Sequence, residues 1–108
     1  VIDGMTTCAN QEDYISMGYN AAKKAYDCMQ LAKYIIAIEL ICGSQALDCY
    51  DGLKPSPGTS AVYHLTRTMI PTLKNDSPLG PYIEKVSHAV LSGHYIREVE
   101  TVVGKLDF

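Results

Sequence analysis

Apolar residues recur at helical spacing from about Asp13 to about Cys49, a stretch that contains no proline. Intervals of three, four or seven residues place side chains on one face of a helix. The apolar positions at this spacing are Ile15, Tyr19, Ala22, Tyr26, Met29 and Ile36. The polar residues between them, which mark the wetter side, are Lys23, Lys24, Asp27 and Gln30. The pattern predicts one long helix from about residue 13 to the high 40s.

Polarity nearly disappears in the second half of this helix, from Tyr34 to Cys42, where Glu39 is the only charged residue. A helix that is apolar on every side is typical of a buried helix, and this run is too short to span a membrane. Because a buried carboxylate is costly unless it is paired, we expect Glu39 to meet a lysine or arginine, with a water-filled site as the alternative. Gly18 and Gly43 are candidate kinks or close-packing points.

A connector rich in proline and glycine follows, from Asp51 to Gly58. Thr59 or Ser60 is the predicted N-cap of a second helix that runs to about Ile70. The residues predicted to face inward on this helix are Val62, Leu65, Thr66 and Met69.

Two further helices are predicted in the last third of the chain. Pro81 suits the first turn of a third helix, Ser92-Gly93 is a predicted break, and a fourth helix runs from about His94 to Val103, with Gly104 as its stop. The predicted inner face of the third helix consists of Ile83, Val86, Val90 and Leu91. No strand alternation is present, so the sequence predicts an all-α fold with one long central helix plus shorter helices.

Composition indicates that these helices need partners. The chain has 108 residues, of which 47% are hydrophobic and 19% charged, and so short a chain buries a small share of its surface alone. It begins at Val1 rather than methionine, and we expect residues 1–108 to be a single piece of a longer protein. The net charge of −3, without a run of lysine or arginine, argues against nucleic acid or an anionic membrane as partner.

The cysteines and histidines do not predict a metal site. Cys42 and Cys49 would lie about 10 Å apart along one helix, beyond the roughly 7 Å between Cα atoms that a disulfide allows. No Cys-x-x-Cys spacing is present, so we expect four reduced thiols, mostly buried, in a cytoplasmic protein. The histidines lack ligand spacing and are expected to be surface or hydrogen-bonded residues: His64, His88 and His94.

Three polar residues, Gln11, Glu12 and Asp13, mark the predicted junction between the N-terminal loop and the long helix. One interpretation is structural: Asn10 or Asp13 is the N-cap, and acids in the first turn favour the helix dipole. The other is functional, because a carboxylate held at a helix N-terminus has a fixed orientation. The residues alone favour the structural interpretation.

Four motifs in order favour the functional interpretation. They are Asn10-Gln11-Glu12-Asp13-x-x-Ser16-Met17-Gly18, Ala37-Ile38-Glu39-Leu40, Gln45-Ala46-Leu47-Asp48 and Leu53-Lys54-x-Ser56-Pro57. Together they resemble the C-terminal part of the histidine ammonia-lyases, which belong to the aromatic amino-acid ammonia-lyases. The resemblance extends over about residues 8 to 58, and a weaker helical similarity continues beyond.

The resemblance implies a helical bundle of the ammonia-lyase and fumarase type, and an enzyme that eliminates ammonia from L-histidine to give urocanate in histidine catabolism. The family's electrophile is a methylidene-imidazolone (MIO) group made from an internal Ala-Ser-Gly. This chain contains no Ala-Ser-Gly, so the electrophile is expected upstream and the chain alone is expected to be inactive. The family also implies a homotetramer whose subunits share active sites.

Among site residues, the resemblance implies a catalytic role for Glu12, as a proton acceptor for the amine or an ion-pair partner of the substrate, with Gln11 supporting it. Histidine-specific members commonly have His where this chain has Tyr14, and Ser where it has Cys8. A tyrosine or phenylalanine ammonia-lyase or an aminomutase therefore stays open as an alternative. Outside the class, the alternative is a non-catalytic α-helical interaction module in which Glu12 is a helix cap.

Overall fold

The computed structural model describes residues 8–11, 16–50, 52 and 54–107. Its four α helices are α1 (Gly18–Asp48), α2 (Pro57–Met69), α3 (Gly80–Leu91) and α4 (His94–Val103), preceded by one 3-10 turn at Cys8–Asn10. These ranges contain no strand, so the predicted all-α class is confirmed. The chain divides into two compact units, Val1–Leu31 and Ala32–Phe108, and each is described by itself.

The long helix begins later than the apolar pattern predicts. Ser16 and Met17 are not helical, and the first helical hydrogen bond runs from the Ala21 N–H to the Met17 carbonyl at 3.0 Å. The predicted start near residue 13 is therefore wrong, and Asn10 belongs to the separate 3-10 turn. Asp13, the other predicted N-cap, lies outside the described residues. Serine and glycine favour non-helical backbone, and periodicity identifies a face of a helix rather than its end. The observed end at Asp48 agrees with the prediction.

In the first unit, α1 lacks a buried apolar face. Tyr19, Tyr26 and Met29, predicted to point inward, are all exposed. An exposed ion pair joins Lys23 to Asp27 one turn apart, with 2.9 Å between Nζ and Oδ2, on the side predicted to be wetter. The periodicity thus identified an apolar face that the described part of this unit does not cover.

In the second unit, one side of α1 enters the core. Ala37 and Ile41 are buried, whereas Ile35, Ile36 and Ile38 are 62%, 43% and 45% exposed. The prediction that this run is buried on all sides is therefore wrong for the described chain, because the core of this unit covers only the face of the helix that carries Ala37 and Ile41. A helix that is apolar all round needs neighbours on its other faces as well.

The core of the second unit is built where α2 packs against α3 and α4. Ile70 and Val86 are completely buried, and their neighbours in the cluster are Ala37, Ile41, Leu65, Ala89 and Tyr95. The predicted inward residues of α2 agree with this core: Leu65 and Thr66 are buried, and Val62 and Met69 are partly buried. On α3, Leu91 is exposed, so its assignment to the inner face is wrong.

The N-terminus of α2 is capped by a serine side chain. The N-cap of α2 is Ser56, whose Oγ accepts a hydrogen bond from the Thr59 N–H at 3.4 Å. The predicted caps, Thr59 and Ser60, lie instead within the helix, because Pro57 supplies the first helical residue with its φ already set.

The boundaries in the last third agree with prediction. Pro81 lies in the first turn of α3, and α4 runs from His94 to Val103. Gly93, with a φ of 69°, makes the break between the two helices, and Gly104, with a φ of 88°, ends the second. Glycine adopts these positive φ angles without the steric cost that a Cβ imposes.

Replacing the cap serine tests this description of α2. Ser56→Ala is expected to lower the free energy of unfolding by about 1 kcal/mol, because an N-H of the first turn loses its acceptor. Ser60→Ala is the matched control and is expected to be neutral or slightly stabilising, since alanine is the better helix former. Chemical denaturation of the two variants measures the difference. A larger loss for Ser60→Ala would restore the cap predicted from the pattern.

Candidate functional site

The residues of the predicted active site lie at the edge of what the structure describes. Gln11 is exposed, and its N–H donates to the Cys8 carbonyl at 3.0 Å, which closes a turn. Cys8 and Ala9 in this turn have φ angles of 36° and 52°. Residues other than glycine rarely adopt positive φ angles. Glu12 and Tyr14 lie outside the described residues, so the catalytic role of Glu12 stays a prediction.

The start of α1 bears on the structural interpretation of Glu12. The helix begins at Gly18, and its first turn contains no acidic residue. The favourable effect of an acid on the helix dipole falls off within the first turn. Glu12 lies six positions before Gly18 in the sequence and outside the described residues.

A polar cluster in the second unit was not predicted as a unit. The Asp48 carboxylate at the end of α1 accepts hydrogen bonds from Tyr63 Oη at 2.6 Å, Arg67 Nη2 at 2.6 Å and Thr72 Oγ1 at 2.8 Å. The side chains of Asp48 and Arg67 are each only 12% exposed. Tyr63 and Arg67 lie one turn apart on α2, so both reach the same carboxylate.

Gln45 extends this cluster to the segment that follows α2. Its Oε1 accepts from the Leu73 N–H at 3.0 Å, and its Nε2 donates to the Leu73 carbonyl at 3.3 Å. Arg67 Nη1 donates to the carbonyls of Ile70 and Pro71 at 3.4 and 3.2 Å. The cluster therefore ties three parts of the chain together: the end of α1, the middle of α2 and the residues just after it.

The hydrogen bonds set the ionisation of the Asp48 cluster. The hydrogen bond from Tyr63 lowers the pKa of Asp48 most, and Thr72 and Arg67 lower it further, against an opposing effect of burial. The pKa of Tyr63 is raised, chiefly because its hydroxyl donates to this carboxylate. Asp48 therefore stays ionised at neutral pH with donors on both oxygens, and such a carboxylate is a poor proton acceptor. Its role is structural.

One further polar pair lies inside the core. The hydroxyls of Thr66 and Tyr95 are 3.0 Å apart and buried, and Thr66 Oγ1 also donates to the Val62 carbonyl at 2.8 Å. Burial raises the pKa of Tyr95. The pair joins α2 to α4 and satisfies two hydroxyl groups that would otherwise be costly to bury.

Other candidate residues lie on the surface. Glu39 is exposed, and the described residues show no ion pair to it, so its expected burial is wrong. All four cysteines are free, as predicted, but all are exposed rather than buried. The three histidines are exposed, and His88 Nε2 lies 4.0 Å from a Glu84 oxygen. Among the described residues, no group of three or more acids, cysteines and histidines converges as a metal site would require.

None of the helices in the described residues combines the length and the hydropathy that a membrane span requires. The described helices thus define an all-α segment whose polar contacts serve structure, with apolar faces left for other elements. A model of the aromatic amino acid lyase family matches residues 1–68. The chain therefore belongs to the aromatic amino acid lyase family.

Curated relatives narrow the similarity within that family. The chain is 37% identical over 105 residues to a histidine ammonia-lyase of Natranaerobius thermophilus, a match covering 97% of this chain and 21% of that protein. It is 39% identical over 106 residues to the histidine ammonia-lyase of Gloeobacter violaceus, covering 98% and 21%. The chain spans about a fifth of the length of these relatives. The similarity thus reaches well beyond the motifs at residues 8 to 58.

Removing the charge of Asp48 tests the cluster. At neutral pH, Asp48→Asn is expected to lower the free energy of unfolding by about 1.5–3 kcal/mol, the range for hydrogen bonds to charged groups. The matched control is Asp27→Asn, which breaks an exposed pair one turn apart and is expected to cost about 0.3–0.5 kcal/mol. Chemical denaturation at equal salt compares the two variants. Equal losses would contradict the structural role of the cluster.

The loss of stability in Asp48→Asn is expected to depend on pH. Because the pKa of Asp48 is lower in the folded than in the unfolded protein, its contribution is complete above the unfolded pKa of about 4. It is lost as pH falls through the folded pKa. The stability difference between wild type and Asp48→Asn should therefore be constant from pH 5 to 7 and shrink below about pH 4. A difference that grows on acidification would contradict the lowered pKa.

Proposed function

We propose that this chain is the C-terminal part of a histidine ammonia-lyase, an enzyme that eliminates ammonia from L-histidine to give urocanate. The observation that carries the proposal is similarity over nearly the whole chain to several proteins named histidine ammonia-lyase, at 33–39% identity. The family membership of residues 1–68 agrees with it. A homotetramer in the cytoplasm completes the proposal, supported by the uncovered apolar faces of α1 and by four free thiols.

The proposed reaction needs an electrophile that these residues do not supply. The family's MIO group forms from Ala-Ser-Gly, which is absent from the 108 residues. We therefore assign no step through that group to this chain. The proposed contribution of the chain is twofold: a carboxylate, Glu12 with Gln11 beside it, and a helical scaffold that carries the segment bearing them.

Glu12 is proposed to contact the amino group of the substrate, either as proton acceptor or as ion-pair partner. Two observations support a role other than capping: the first turn of α1 begins at Gly18, and it contains no acid. The nearest competing proposal is an aromatic lyase or aminomutase acting on tyrosine or phenylalanine, because Tyr14 stands where histidine-specific members commonly have His.

Glu12→Gln in the full-length protein tests the site. The change keeps the shape of the side chain and removes its charge, so turnover of histidine is expected to fall at least about a hundredfold, the lower end of an acid–base contribution. Thermal stability should change little. The matched control is Glu98→Gln, an exposed position on α4, which is expected to leave turnover unchanged. Wild-type turnover by Glu12→Gln would remove this residue from the active site.

Supplying tyrosine and phenylalanine to the same preparations separates the competing proposals. Urocanate formed from histidine, with little product from the other two amino acids, supports the histidine lyase. Preferential release of ammonia from an aromatic amino acid would transfer the assignment to the related enzymes. Absence of turnover with all three, in a folded full-length protein, would leave the non-catalytic helical module as the better proposal.

The isolated 108-residue chain is expected to have no ammonia-lyase activity, because it lacks the Ala-Ser-Gly from which the electrophile forms. Ultraviolet absorbance of urocanate, followed after histidine is added, is the measurement. The preparation should come from a host strain without its own histidine ammonia-lyase. Activity above that of the host extract would contradict the proposed division of roles.

A further inference from the structure

The turn at Cys8 and Ala9 has a backbone conformation that these two residue types rarely adopt. Ala9 has a φ of 52° and a ψ of 36°, which is the left-handed α region, and Cys8 has a φ of 36°. In this region the Cβ of an L-residue comes close to the following carbonyl oxygen, so glycine, and less often asparagine or aspartate, is the usual occupant. Here two other residue types adopt positive φ angles in succession.

Burial does not account for this conformation. Both side chains are exposed, so the described residues give them no core contact that would offset the strain. The hydrogen bond from the Gln11 N–H to the Cys8 carbonyl, at 3.0 Å, closes the turn. Strained residues persist where the surrounding structure demands them, and they cluster at functional sites. The strain therefore directs attention to Gln11, which the turn holds, and to Glu12, which follows it in the sequence.

The left-handed conformation sets the direction in which the chain leaves the turn. The ordinary right-handed φ is about −63°, so a change of Ala9 to that value rotates all of the chain beyond it by about 115° around one bond. Gln11 lies two residues beyond Ala9, and planar peptide bonds limit the chain to two rotations per residue. The backbone of these two residues therefore determines where Gln11 lies and where residue 12 begins.

We infer that Cys8 and Ala9 are positioning residues of the proposed active site, whose left-handed turn fixes the backbone from which Gln11 and Glu12 extend. The inference rests on the proposed function, because it requires that Glu12 contacts the amino group of histidine. Misplacing a catalytic group by about 1 Å can cost about a hundredfold in rate. A turn that holds one conformation thus contributes to turnover without touching the substrate.

Ala9→Asn and Ala9→Val in the full-length protein test the turn. The two new side chains are similar in size, but asparagine is enriched at positive φ, whereas a β-branched residue there is an outlier. The kcat for histidine is expected to stay within about twofold of wild type in Ala9→Asn and to fall at least about tenfold in Ala9→Val. Ala9→Gly should keep the wild-type kcat, because glycine adopts positive φ freely. Equal kcat in the asparagine and valine variants would overturn the inference.

The matched control is the same pair of changes at Glu98, an exposed position on α4. Asparagine and valine have similar helix propensities, so Glu98→Asn and Glu98→Val are expected to have equal kcat values. A difference at Glu98 as large as that at Ala9 would overturn the inference. If Ala9→Val does not fold, Cys8→Val and Cys8→Asn provide the same comparison at the other strained position.

Combining Ala9→Val with Glu12→Gln tests whether the turn acts through Glu12. Once the carboxylate is gone, its position no longer matters, so the further loss of kcat/KM is expected to be less than about twofold. Independent sites would instead show the full loss of Ala9→Val a second time. Full multiplication of the two losses would overturn the positioning role.

The outcomes separate this inference from the proposed function. Wild-type turnover of histidine together with equal asparagine and valine variants at Ala9 would overturn the role of the turn and leave the proposed function intact. Absence of histidine turnover in the folded wild-type enzyme would overturn the proposed function and this inference with it.

Discussion

The interaction on which the second unit depends is the set of hydrogen bonds centred on the Asp48 carboxylate. Arg67 and Tyr63 reach it from α2, and Thr72 reaches it from the segment beyond. Apolar contacts between α1 and α2 are non-directional and do not by themselves fix how far one helix slides along the other. A carboxylate with three donors, one of them a largely buried guanidinium, loses hydrogen bonds when either helix slides. This cluster therefore fixes the register between the two helices.

The register has consequences on both sides of α1. On the inner side it places Ala37 and Ile41 against the core that contains Ile70 and Val86. On the other sides it leaves Ile35, Ile36 and Ile38 exposed. Exposed apolar surface of this kind usually marks an interface. The helix is built to be surrounded, and the described chain supplies neighbours on one face of it.

Two acidic residues of the chain, Asp48 and Glu12, are assigned different roles. Asp48 is an acid whose partners keep it ionised and occupied, so it serves the scaffold. Glu12 lies outside the described residues, and its proposed role is to contact the substrate. The proposed ammonia-lyase would need both: a rigid helical support and a charged group that contacts the substrate.

The sequence alone determined the helix content, the four-helix order, an end of α1 in the high 40s and the bounds of α4, because periodicity, proline and glycine act locally. It also carried the family resemblance in residues around Glu12. Only the tertiary structure revealed that Tyr63 and Arg67 contact Asp48. These two residues follow Asp48 by 15 and 19 positions in the sequence, and no local pattern joins them to it. Only the structure corrected the burial of Glu39, the cysteines and the isoleucines. The hydrophobicity of a residue indicates that its burial is favourable. Whether the residue is buried depends on which other elements are present and on which face of α1 they pack.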